Sequence, residues 1–219
     1  MNSLRRVFMP SPALWRATPP LNYTGPRIAL IHGLLAGSHM ERHLLRFLRE
    51  AGQADTSLYS NHLNPGVIAN DLVGAARAQR SIVLIGFSQG GFQILKVARH
   101  LAKKNITVDL AITLAAGGAG RFYPSQWGAS SRRIPANVKS FLNYFAEHDF
   151  LGSDLMMSHN ISRAEASTTL VENIFYPAAT GITHLDTVRC FPPARVAPEV
   201  QELFLNRLLN ELASLDTAP

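Results

Sequence analysis

The sequence predicts an α/β domain, a mostly parallel sheet with helices on both faces. Three observations carry this. Short apolar runs of strand length alternate with stretches of helical period. The most apolar runs, RIALIH at 27–32 and SIVLIG at 81–86, are each followed by a glycine-bearing turn. The 219 residues suffice for one well-buried domain of about 150–250 residues and are too few for two comfortable ones. Residues 27–219 therefore read as a single three-layer domain. Residues 1–26, with their prolines, read as an extended arm lying on it.

The elements follow in order. Residues 27–32 form the first buried strand. Residues 40–51 form a helix with Leu44, Leu45, Phe47 and Leu48 inward, stopped by Gly52. A short strand covers 56–60. Asn64 caps a helix that carries Pro65 in its first turn and runs to about residue 80, burying Val67, Ile68, Leu72 and Val73. The run 81–86, apolar throughout, reads as a central strand. A helix over 90–103 turns Phe92, Leu95, Val97 and Leu101 inward, and 108–115 is the next strand. An irregular stretch, 117–135, is rich in Gly, Ser, Arg and aromatics. Strands at 139–146 and 170–176 follow. The closing helix, 196–212, carries Val200, Leu203, Phe204, Leu208 and Leu212 on its apolar stripe.

Composition narrows the class. Hydrophobic residues make up 47% and charged residues 16%, with 15 Gly and 13 Pro, which argues against a disordered tail, a coiled coil or a long-helix bundle. No apolar run is long enough to span a membrane. The single cysteine, Cys190, excludes an internal disulfide framework and a cysteine-rich metal site. Arg5 and Arg6 resemble a twin-arginine core, but prolines follow in place of an apolar stretch, so the expected compartment is the cytoplasm. Lys plus Arg is 21 against 15 Asp plus Glu, giving a net charge of +6. The basic residues are scattered without interleaved aromatics, which reads as solvated surface and not as a nucleic-acid site.

The chemistry centres on Gly86-Phe87-Ser88-Gln89-Gly90. The pattern G-x-S-x-G lies between an apolar strand and an amphipathic helix, the context in which it forms a sharp strand-to-helix turn. Residues on either side of the serine approach so closely that only glycine fits at 86 and 90. The helix start aims free N–H groups at the serine oxygen. A serine hydroxyl needs a general base to attack at neutral pH. His184, in the loop between the last strand and the last helix, falls at the carboxyl edge of the sheet, where Ser88 is expected. His148 is the rival base. Asp149 follows the strand at 139–146 and reaches the same edge, with Asp154 as the alternative acid. Asp109 falls at the wrong end of its strand, and Asp186 reads as a helix-start cap. The chain order Ser88, Asp149, His184 is the order expected for this fold. Two backbone donors would hold the oxyanion: the N–H of Gln89, and that of Leu34 in the loop that Gly33 bends toward the site. His32 belongs to that oxyanion loop. His39 and His43 lie four apart on a helix, but no third ligand suggests itself, so no metal is expected.

With IHGLLAG at 31–37, GFSQGG at 86–91, Asp149 and GITHLDT at 181–187, the chain resembles the α/β-hydrolase superfamily over residues 27 to about 212. Within it the sequence looks like the small lipases and esterases. The resemblance implies a Ser–His–Asp triad, a covalent acyl-enzyme and no cofactor. The short leader implies that the antiparallel strands usual at the start of the fold are missing or vestigial, and no stretch is long enough for a large cap. An open site follows, with Phe122, Tyr123, Trp127 and Ile134 expected either to line an acyl or alcohol pocket or to tuck into the core, and Met156 and Met157 either lining the pocket or packing. The expected activity is hydrolysis of a carboxylic ester or thioester with an apolar acyl group, the substrate being a small molecule or lipid-like. The alternatives are an acyltransferase or carrier-protein thioesterase, and a binding protein that keeps the fold without the chemistry.

Overall fold

A computed structural model describes residues 13–121, Gln126 and residues 129–216. Six strands form one sheet: β1 (Arg27–Ile31), β2 (Thr56–Tyr59), β3 (Ile82–Phe87), β4 (Val108–Leu114), β5 (Val138–Ala146) and β6 (Leu170–Tyr176). They lie in the order β2-β1-β3-β4-β5-β6, and every neighbouring pair is parallel. Parallel strands need crossovers, and long helices supply the first three. The helical stretch α1 covers 37–50, α2 is Pro65–Arg77, α3 is Gln89–Ala102 and α4 covers 198–216.

Strands β1 to β5 are largely buried on both faces, the edge strand β6 is mostly half-exposed, and side chains alternate between two cores. Ile28 and Leu30 on β1 pack with Met40, Leu44 and Leu48 of α1 and with Phe204, Leu208 and Leu212 of α4. Ala29 and Ile31 face the other way, onto Ile68 and Leu72 of α2 and Ile94 and Leu101 of α3. This period-two partition makes the domain three-layered.

At the amino edge of the sheet the chain buries charge. Arg27 donates to Asp55 (3.0 Å), Asp71 (3.0 Å) and the hydroxyls of Ser57 and Tyr59, and Arg80 pairs with the other Asp55 oxygen at 2.6 Å. A strand-opening arginine is tolerated inside because each of these contacts replaces water. Along the outer edge, Leu14 and Trp15 donate to the Leu58 carbonyl, and Leu58 returns a bond to Trp15. This antiparallel bridge covers the free edge of β2.

Several expectations shift. The first helical stretch begins at Gly37, ahead of the expected 40, and α2 ends at Arg77. The Asn64 cap forms as expected, its side chain accepting from the Gly66 N–H at 2.8 Å. Val67 is exposed and Val73 half-buried, since α2 turns only one narrow stripe, Ile68 and Leu72, to the core. Leu203 is also exposed. The segment Gln201–Asn206 widens into a π-turn, which rotates the face and puts Leu205 in the core instead. Ile134, for which a pocket and the core were both open, is fully buried in the core against α3 and β5. Among the described residues no helix is long and apolar enough to cross a membrane.

Candidate active site

The strand order places the reversal of chain direction between β1 and β3: the chain leaves β1 for β2, then crosses back to β3. In open parallel sheets the crevice beyond the carboxyl ends of such strands is where ligands bind. Here the two loops that meet are 32–36, after β1, and the turn at Ser88, after β3.

Ser88 stands between β3 and α3 with φ +53 and ψ −120. A non-glycine residue in this region costs about 1–3 kcal/mol. Surrounding contacts hold it there. Its N–H donates to the Leu114 carbonyl at 2.8 Å, and its own carbonyl accepts from Gly91 N–H at 2.9 Å. A Cβ at Gly86 would collide with the Gly90 carbonyl, and one at Gly90 with the Ile31 carbonyl. Tertiary contact between α3, β3 and the end of β1 thus demands both glycines of the motif. Gly33 presses on the serine from the other side. The Leu34 amide donates to nothing among the described residues, and the first N–H groups of α3, beginning with Gln89, have no partner within the helix.

His184 and Asp149 come together from loops 35 residues apart in sequence. His184 Nδ1 lies 2.8 Å from Asp149 Oδ2 and 3.0 Å from Oδ1. Asp149 is 2% exposed, and its Oδ1 also accepts the Gly152 N–H at 2.8 Å. With Nδ1 bonded to the carboxylate, the imidazole has Nε2 left for other work. The ring packs on Phe87, the residue before Ser88, with centroids 4.7 Å apart. So the imidazole, carboxylate and serine share one rim of the sheet. Ser88 Oγ makes no hydrogen bond among the described residues, to His184 or to any other group.

The loop under His184 is braced. Asp186 Oδ2 accepts from both the N–H (3.1 Å) and hydroxyl (2.5 Å) of Thr183, and its Oδ1 accepts from Arg189 Nε at 3.0 Å. These contacts hold its carboxyl below the usual range despite partial burial. Asp186 thus opens the short turn Asp186–Val188 and ties it back to Thr183, where a helix-start cap was expected.

Asp154, the alternative acid, is occupied elsewhere. It pairs with Arg121 at 2.5 Å and Arg132 at 3.4 Å, while Arg132 also donates to the His159 carbonyl at 3.0 Å. This buried cluster links the loop after β5 to the irregular stretch before it. His148 is exposed. His32 is buried, its Nδ1 2.5 Å from the Gly33 carbonyl, and burial lowers its pKa. Asp109 lies at the amino edge, accepting the Ile82 N–H at 2.9 Å. Met156 and Met157 are exposed. Phe122, Tyr123 and Trp127, the expected pocket residues, lie outside the described residues. His43 Nδ1 accepts the N–H groups of Cys190 (3.3 Å) and Phe191 (3.2 Å), which commits that nitrogen to the backbone.

The sequence reading missed the side chain of Gln89. It is 3% exposed, its oxygen accepts from Gln126 Nε2, and its own Nε2 is buried without a partner. Nothing in the spacing of Gln89 and Gln126 signals that contact. Gly152 was missed as well, although an Asp followed three residues later by Gly is a turn signal.

Solved structures of other proteins share this architecture. Aspergillus fumigatus lipase B matches over 89% of this chain and 63% of its own, at 13% identity and a TM-score of 0.57. The fold is that of the α/β hydrolases. A serine hydrolase from Xanthomonas campestris, XC6422, described as lacking a lid, matches over 92% of this chain and 88% of its own, at 14% identity and TM-score 0.50. RedJ thioesterase from Streptomyces coelicolor matches over 95% and 100%, at 11% identity and TM-score 0.51. The chain spans less than two thirds of the lipase's length. No family model matches the sequence, and no curated protein does.

Proposed function

We propose that the protein is a serine hydrolase that cleaves a carboxylic ester or thioester with an apolar acyl group. The observation that carries this is the bond between His184 Nδ1 and Asp149, formed beside a serine at φ +53. Asp149 fixes the tautomer that leaves Nε2 free to accept a proton and stabilises the imidazolium that results. Ser88 Oγ attacks the carbonyl carbon and its proton passes to His184 Nε2. The carbonyl oxygen takes up the electron pair and is held by the N–H groups of Gln89 and Leu34. Collapse expels the alcohol or thiol, which leaves with the proton from His184. Water then repeats the sequence on the acyl-serine and releases the acid. The serine and imidazole close to bonding distance when substrate is bound, as is common for sites whose hydrogen bonds are long without it. Every group in this cycle belongs to the chain, so no cofactor is required.

A non-catalytic binding role is disfavoured by Ser88 Oγ, which is not tied to any described neighbour. An acyltransferase or carrier-protein thioesterase would use the same residues with a different acceptor. The net charge of +6 would suit an acidic carrier. The decisive experiment is labelling with a fluorophosphonate probe, with p-nitrophenyl butyrate as substrate. Labelling at Ser88, and loss of turnover in a folded Ser88→Ala protein, are expected. An unlabelled Ser88 in native protein overturns the reading. Adding competing alcohols or thiols then separates hydrolysis from transfer.

A further inference from the structure

Beside the loop that carries His184 runs a groove of about 680 Å³, within the range of about 300–1,000 Å³ typical of ligand sites. One wall is a face of α1: His39, Arg42, His43 and Arg46, spaced three and four apart, so that their side chains stack along one side of the helix. The facing wall is Leu185, Phe191 and Pro192, with Arg189 among them. The walls join where His39 Nε2 meets the Leu185 carbonyl at 3.1 Å, one residue past His184.

No carboxylate lines the groove among the described residues. Arg46 is paired with Glu50 at 2.7 Å, and its guanidinium lies 4.2 Å over the Phe191 ring. Arg189 is held by Asp186 at 3.0 Å. Arg42 differs: its Nε donates to the Ser38 carbonyl at 3.1 Å, and it pairs with no carboxylate among the described residues. The field is felt inside. His43 is lowered to about 4, chiefly by burial and further by His39, Arg189 and Arg42. The histidines are therefore neutral at pH 7, while three guanidinium groups remain charged above an apolar floor.

We propose that this groove is a subsite for an anionic amphiphile, holding a phosphate group against Arg42 and Arg46 with the adjoining apolar chain along Leu185 and Phe191. This rests on the ester-hydrolase reading and adds a substrate class to it: the molecule cleaved at Ser88 carries a phosphate within reach of the groove. Two sources share that chemistry, a lipid headgroup and the phosphate of a carrier's pantetheine arm.

The test is calorimetric titration of the wild-type protein with octyl phosphate and with octyl glucoside, a neutral amphiphile of equal chain length. Octyl phosphate is expected to bind and octyl glucoside to bind at least ten-fold more weakly. Arg42→Gln and Arg46→Gln are each expected to weaken octyl phosphate about ten-fold or more, as loss of a hydrogen bond to a charged group does, and raising the salt should weaken it further. Both arginines lie on the surface of α1, and a circular dichroism spectrum checks that the variants stay folded. Equal binding of the two amphiphiles, or affinities untouched by both substitutions, overturns the subsite. Displacement of octyl phosphate by lysophosphatidate assigns the lipid source, displacement by phosphopantetheine the carrier source, and displacement by neither overturns the proposal. Turnover of neutral p-nitrophenyl butyrate in the same samples keeps the two readings apart. Turnover without phosphate binding removes the groove alone. Phosphate binding without any turnover leaves the groove standing and removes the hydrolase.

Discussion

Gly33 stands so close to Ser88 that a methyl group on its Cα would lie 2.6 Å from the Ser88 Cβ and 3.1 Å from its Oγ. The loop after β1 is therefore pressed onto the serine with no room for a side chain, and the Leu34 amide is delivered beside the proposed site by that contact. Gly33→Ala forces the loop and the serine apart while leaving the cores untouched. The expected outcome is a kcat lowered at least ten-fold, about 1.4 kcal/mol in the barrier, with a circular dichroism spectrum like that of wild type. Unchanged kcat would mean that the loop does not supply an oxyanion donor.

Asp149 and Asp154 are five residues apart and do different work. Asp149 holds His184 at 2.8 Å, while Asp154 holds Arg121 and Arg132. Asp149→Asn is expected to lower kcat by about 10⁴-fold, because the amide favours the wrong tautomer of the imidazole. Asp154→Asn should act on folding instead, since it strips the charge from a buried cluster, and should lower the denaturation midpoint with a much smaller change in kcat. Parallel kinetics and urea titrations of the two variants check this assignment.

Asp55 carries the amino edge of the sheet. It accepts from Arg27 at 3.0 Å and Arg80 at 2.6 Å, with side-chain exposures of 8% and 17% for the arginines. Removing it leaves two guanidinium groups in poor solvent contact. Asp55→Ala is expected to cost about 3–5 kcal/mol of stability, measured by equilibrium urea unfolding, with the proposed site at the opposite edge of the sheet and kcat unchanged in protein that remains folded.

His43 makes stability depend on pH. Its folded pKa is depressed from 6.5 to about 4, so between those values the unfolded chain binds a proton that the folded chain does not. Stability is thus fully present above pH 6.5 and is lost as pH falls toward 4. Urea midpoints across that window should fall with acid in wild type. In His43→Gln, whose amide oxygen can still accept the Cys190 and Phe191 N–H groups, the fall should be shallower. Identical slopes would show that His43 does not contribute.

The alternation of apolar runs and helical stretches was enough to place the sheet's six strands to within a residue or two, because burial on both faces of β1 to β5 leaves a continuous apolar signature that local sequence carries, while the edge strand β6 is marked by its β-branched and aromatic residues. The turn at Ser88 was legible for a similar reason: the glycines at 86 and 90 are required by approach of backbone to backbone, and they stand at a fixed spacing around Ser88. Helix phase was less legible. Leu203 and Leu205 exchange roles across the π-turn at Gln201–Asn206, and nothing in the periodicity marks the extra residue.

The sequence by itself determined the parallel sheet, the turn at Ser88 and the edge at which Asp149 and His184 had to emerge, since each is a matter of chain order and nearest neighbours. Only the tertiary structure paired Asp149 with His184 and Asp154 with Arg121 and Arg132, committed the His43 ring to the backbone of Cys190 and Phe191, and turned the basic residues of α1 toward an apolar wall about 140 positions along the chain. Those outcomes depend on which side chains meet across long loops, where partner choice is set by the packing of the whole domain and no local pattern encodes it.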